Sequence, residues 1–237
     1  MSIPVTNRPF SGKEQRIRAQ IENFNSIESA QVDATAYLDQ TPDHEYSQHD
    51  NWIKAKTPFT DHGKLTDLTE GQGENVVLIG NRNSFATIQY GDNPKAAGMS
   101  MIHLLAIPKA GLFNGVSLTR DNVSIIDESI ALFKKSWESE RFRHRVLIHQ
   151  LIAIKGAPEE VEAAQDLWKG LEQRANELTF DDFTFGLHLW PDNSIGHLHI
   201  HIIATPEWCR APSTRAHDEK TKDALEVRDC VLGNAAA

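Results

Sequence analysis

Apolar residues are sparse over the first fifty positions, where Ile17, Ile21 and Phe24 recur at helical spacing ahead of the stretch Thr41-Pro42-Asp43-His44-Glu45. That pattern predicts a polar N-terminal extension over residues 1–50 with one or two helices. Turn-formers are frequent from 52 to 73, and Gly71-Gln72-Gly73 is too short for a phosphate loop and reads as a turn. From residue 75 the apolar positions gather into short runs at 76–79, 85–90 and 101–108, cut by Gly, Asn, Asp and Pro, which predicts three strands of a meander. Val123, Ile126, Ile130 and Phe133 then share one helical face behind a Thr119 or Asp121 cap. Residues 145–154 are again strand-like. Pro158, the Glu159-Glu160 pair and the stripe Val161, Ala164, Leu167, Trp168, Leu171 predict a long helix from 158 to 178. Strands at 183–190 and 195–204 meet at Pro191-Asp192-Asn193, and 218–231 predicts a capped helix. The whole is an α+β pattern, an antiparallel meander sheet with flanking helices, divided into residues 1–50, a central unit 51–206 and a C-terminal extension 207–237.

The chain's 237 residues include 24 Lys and Arg against 33 Asp and Glu, a formal net charge of −9. Duplex nucleic acid and anionic membranes are therefore poor partners, because binding them through bulk electrostatics needs a cationic excess. A local positive pocket for a small anionic substrate remains compatible with that balance. Two cysteines, Cys209 and Cys230, in a chain large enough to build its own core predict reduced, inert thiols. No stretch reaches the roughly 20 apolar residues that span a bilayer, and the N-terminus has no charged segment leading into an apolar run. The expected compartment is cytoplasmic or nuclear, where the sequon at Asn122 has no meaning.

The chemistry concentrates in Ser194-Ile195-Gly196-His197-Leu198-His199-Ile200-His201-Ile202-Ile203. On a strand, His197, His199 and His201 project to one face while Leu198, Ile200 and Ile202 project to the other. Three imidazoles in alternate positions have few structural uses, since a buried one needs partners and an exposed strand face is more readily filled by Thr or Lys. Two functions fit the spacing equally. One is a metal site with two or three imidazole ligands. The other is nucleophilic catalysis at phosphorus, in which a neutral imidazole attacks and its neighbours stabilise phosphoryl charge.

His197-Leu198-His199-Ile200-His201-Ile202-Ile203 resembles the histidine-triad (HIT) signature, His-φ-His-φ-His-φ-φ with φ apolar, at every position. Upstream, His103-Leu104-Leu105-Ala106-Ile107-Pro108-Lys109 is similar to the family's strand ending in Ile-Pro-Lys, with the additional histidine that opens it. Ser194 stands where many members carry a serine. The likeness covers residues 75–206 and looks most similar to the scavenger-decapping branch. It implies a HIT-like α+β homodimer that hydrolyses a nucleotide-like substrate at the α-phosphorus, without cofactor or metal. By position, His199 is the nucleophile that forms a nucleotidyl-histidine. His201 and His197 orient it and bind phosphoryl oxygens, His103 tunes the cluster, and Ser194 contacts the leaving group or α-phosphate. Members that transfer nucleotides to phosphate or sugar phosphate carry glutamine at the third triad position, so His201 favours water as acceptor. No asparagine occurs in residues 184–189, where many members have one, and the spacer at 141–178 is enlarged. Two other uses of the same residues stay open: a HIT scaffold recruited to non-nucleotide, metal-dependent chemistry, and a nucleotide-binding module.

Outside the triad, His188 could join the site across the hairpin, if register turns it inward. Arg141, Arg143 and Arg145 form the densest positive run and are candidates for binding an anionic substrate. Trp52, Trp190 and Trp208 are read as core more readily than as base-stacking platforms, and Lys109 as the end of a strand. His44, His49, His62, His144, His149 and His217 show no spacing that joins them to the triad.

Overall fold

A computed structural model describes residues 9–38, 59, 65–71, 73–83 and 85–233. The expectations for residues 41–45, Trp52, His44, His49 and His62 lie outside them. Helices α1 (Glu14–Ser26) and α2 (Glu28–Leu38) open the chain, with Ile17 and Phe24 buried as their spacing predicts. Five strands follow: β1 (Val76–Gly80), β2 (His103–Pro108), β3 (Phe183–His188), β4 (Ile200–Ala204) and β5 (Thr221–Asp223). They form one antiparallel sheet of order β1-β2-β4-β3-β5. The fold is α+β, but the strand order is not that of a simple meander, since β4 inserts between β2 and β3.

Helices α3 (Ile125–Trp137), α4 (Glu140–Ile152) and α5 (Pro158–Arg174) fill the long connection from β2 to β3. After β4 come α6 (Glu207–Arg210) and, beyond β5, α7 (Ala224–Leu232). Asp223 caps α7 by accepting from the Leu225 and Glu226 amides, and Gly233 ends it at φ 74°. The predicted 218–231 helix is therefore a short strand followed by a shorter helix.

Three further expectations are corrected. Residues 85–90 form no strand but contain a 3-10 helix, Thr87–Tyr90, in which Ile88 is exposed. Residues 145–152 of that stretch belong to α4: Phe142, Val146, Leu147 and Gln150 are buried at helical intervals, and the Ser139 hydroxyl accepts from the Phe142 amide at the N-cap. The triad strand begins at Ile200, not Ile195, so His201 alone of the triad lies in the ladder.

Register assigns the two faces of the sheet. Opposed residues share a face, so Leu78, Leu104, Ala106, Ile200, Ile202 and Phe185 lie on one side. There they join the large core formed with Phe133, Phe142, Val146 and the N- and C-terminal helices. Ile79, Leu105, His103, His201, Ile203 and Gly186 lie on the other side. Among the described residues that face carries two small apolar clusters, around Phe59 and around Phe10 and Met99. The histidines thus sit on the face that the long helices leave to loops. At Gly186, opposite His201, any Cβ would collide with Thr221 and Phe10, so glycine there lets β5 and the N-terminal segment close in behind the site.

Candidate functional site

Hydrogen bonds fix the tautomers of the histidines one after another. The Met99 amide donates to His103 Nδ1 at 3.2 Å, and the Asn81 side-chain amide lies 2.8 Å from the same nitrogen. His103 Nδ1 is therefore an acceptor, and its proton sits on Nε2. That Nε2–H donates to His201 Nδ1 at 2.9 Å, which leaves the His201 proton on Nε2. His201 Nε2 is buried and has no partner among the described residues. Such a donor is costly unless a ligand atom completes it.

His199 is set the opposite way. Its Nδ1–H donates to the His197 carbonyl at 2.8 Å, so Nε2 carries the lone pair. The His199 and His201 rings lie 4.9 Å apart, and Phe59 packs 5.0 Å from the His199 ring. A nitrogen lone pair and an N–H donor are thus presented side by side. His197 lies in the irregular segment before β4. Its Nε2–H donates to the Pro108 carbonyl at 2.9 Å, tying the triad segment to the end of β2, while its own carbonyl orients His199.

His188 joins the cluster through a partner other than His197. On β3 it pairs with Thr221, whose hydroxyl donates to the His217 carbonyl and accepts from His188 Nε2–H at 2.9 Å. The His188 ring lies 4.4 Å from that of His201 and 5.9 Å from that of His217. His217 is thus a member that sequence spacing missed. It arrives on a turn between α6 and β5, and nothing in the sequence marked it, since residues 218–231 read as a helix and not as a strand.

Burial sets the charge of the whole group. It holds His103 down to about 3, helped by His217, His199 and Arg210. It holds His199 down to about 4, against the opposing pull of the His197 carbonyl. His188 and His201 are pushed well below the usual imidazole range, burial again leading. All four are neutral at pH 7, the state an attacking imidazole requires.

The other predicted residues stand apart. Ser194 is exposed, and its hydroxyl makes no hydrogen bond among the described residues. Arg141, Arg143 and Arg145 lie on α4, which packs against the sheet face opposite the histidines. Arg143 donates to the Trp137 carbonyl at 2.7 Å, and Arg145 pairs with Glu70 at 3.0 Å and reaches the Asp67 carbonyl. The arginines hold the edge beside β1 and are not brought to the cluster. His149, on the same helix, packs against Gly80. Trp190 is core, Arg174 lies over Trp208 at 4.2 Å, and Lys109 donates to the Gly73 carbonyl.

Among the described residues no group of three or more His, Cys, Asp or Glu side chains is placed to hold a metal ion. His103 Nε2 and His201 Nδ1 face each other, so recruiting both as ligands would break their hydrogen bond. No helix among these residues is long and apolar enough to cross a membrane. No protein-family model matches the chain, and no curated protein matches it.

Proposed function

We propose that the chain is a histidine-triad-like hydrolase that cleaves a nucleotide-like phosphoanhydride, phosphoester or phosphoramidate at phosphorus, with His199 as covalent nucleophile. The observation that carries this reading is the complementary pair of tautomers: a lone pair on His199 Nε2 beside an N–H on His201 Nε2 that has no partner among the described residues. In the first half-reaction His199 Nε2 attacks phosphorus, the P–X bond breaks, and the leaving group takes the electron pair. His201 Nε2–H hydrogen-bonds to the oxygen on which negative charge grows. In the second, water attacks the phosphorus, the P–N bond returns its electrons to His199, which is neutral again, and the proton lost by the water balances the electron pair taken by the leaving group. Burial of the site means that these donors act where they are worth more than in water. Homodimeric assembly rests on the family resemblance alone, and sedimentation of the purified chain measures it.

His199→Ala tests the reading. Turnover of mononucleotide-releasing substrates falls by at least about a thousandfold while the unfolding midpoint moves little, because this imidazole contributes to chemistry more than to the core. Acid-labile phosphohistidine is trapped on the wild type with labelled substrate and is missing from the variant. A variant that keeps full turnover removes the covalent mechanism.

A further inference from the structure

We infer that the turn from His217 to Thr221 is the anion-binding wall of this site, with Lys220 the cation that takes the charge of a phosphate-bearing leaving group. The inference rests on the hydrolase reading and extends it to substrate class.

Geometry supplies the first support. The Thr221 amide bonds back to the His217 carbonyl at 3.0 Å, closing a tight turn whose two ends both touch His188. The turn is clamped from outside. Arg210, itself buried, reaches both carboxylate oxygens of Asp218 at 2.7 and 2.6 Å. Lys13 donates to the carbonyls of Asp218, Glu219 and Thr221 at 2.6, 3.2 and 2.9 Å. A loop held at so many backbone points is built to stay where it is.

The charge ledger supplies the second. Three carboxylates surround the turn, and each is committed to another cation: Asp218 to Arg210, Glu219 to Arg16, and Asp192 to Arg16 and Lys222. Lys220 is half-buried and makes no direct ion pair among the described residues, and Asp192, already shared between Arg16 and Lys222, acts on it only at longer range. Burial lowers its affinity for the proton, and its charge is felt by His188, His199 and His217. An ammonium without a direct ion pair, beside neutral imidazoles and a His201 N–H that has no partner among the described residues, makes a locally positive recess in a chain of net charge −9. The chemistry that completes it is a leaving group carrying its own phosphate, such as pyrophosphate, in preference to a neutral amine or phenol.

Two measurements test this. The first compares a nucleoside triphosphate, which loses pyrophosphate, with the same nucleotide esterified to a neutral chromogenic phenol, in all four bases. In Lys220→Met the ratio of kcat/KM for the charged over the neutral leaving group falls at least tenfold, and Lys220→Arg restores it to within about threefold. An unchanged ratio overturns the proposal while leaving His199 chemistry intact. The second is calorimetric titration with inorganic pyrophosphate, which needs no turnover. Wild type and His199→Ala bind it alike, and Lys220→Met weakens it tenfold or more, with circular dichroism confirming the fold. If wild type hydrolyses neither substrate, the hydrolase reading fails and the titration still decides the subsite. Equal pyrophosphate binding by wild type and Lys220→Met, or none by either at millimolar concentration, overturns it.

Discussion

Burial, more than any neighbouring charge, sets the histidines' protonation, and this gives the proposed reaction an unusual pH signature. An unperturbed imidazole nucleophile loses activity below about pH 6.5. His199 holds its lone pair down to about 4. The acid limb of kcat/KM on a phosphodiester substrate, which does not itself ionise in this range, is expected below pH 5. A limb centred near 6.5 shows that His199 is solvated during turnover and that the dry site is wrong. The triad was legible because imidazoles repeated at period two serve few purposes besides chemistry. The order of tautomers was not, since it depends on Met99, Asn81 and the His197 carbonyl, none of which the spacing marks.

At the level of elements, α4 shows how an apolar run misleads. Val146, Leu147, Ile148, Leu151 and Ile152 make a stretch rich in branched residues that looks like a strand, but its buried positions extend back to Phe142 behind a Ser139 cap. The period is helical only when those two are included. Arg141, Arg143 and Arg145, candidates because they form the densest positive run, lie on this same helix. Replacing all three with Ser should leave the salt dependence of kcat/KM as in wild type. Stability should drop by about 1 to 2 kcal/mol, from loss of the Arg143 bond to Trp137 and the partly exposed Arg145–Glu70 pair. Urea unfolding beside steady-state kinetics at two ionic strengths separates these, and a salt-sensitive rise in KM returns the arginines to the substrate path. Residues 85–90 mislead in another way: the apolar run leaves Ile88 exposed on a 3-10 helix, and the Thr87 amide donates to the Pro212 carbonyl, not to a ladder. The strands with hydrophobic runs on both faces, β1 and β2, were the easiest to read.

For the whole molecule, keeping His103, His188, His199 and His201 neutral in the fold ties stability to acidity. Their folded affinities for the proton are depressed, so below about pH 6.5 the unfolded chain takes up protons that the folded chain refuses, and stability falls with falling pH. One unit below the ordinary value the cost is about 1.4 kcal/mol for each such imidazole. Across four it becomes a large part of the stability of a typical domain. The urea midpoint should therefore decline steeply between pH 7.5 and 5.5, and His188→Gln should flatten that slope by about one proton. A midpoint constant over the range contradicts the buried neutral cluster. A different consequence follows from Lys13, whose ammonium gathers three carbonyls more than two hundred positions away in the chain. The N-terminal segment serves as a latch pin: clipping the chain just before α1, or fusing a bulky affinity tag close to Lys13, would slacken the far wall of the recess while sparing every histidine. On the proposed reading, a preparation handled that way would bind and turn over substrate poorly with a flawless triad, and two laboratories using different tag positions would measure two different proteins.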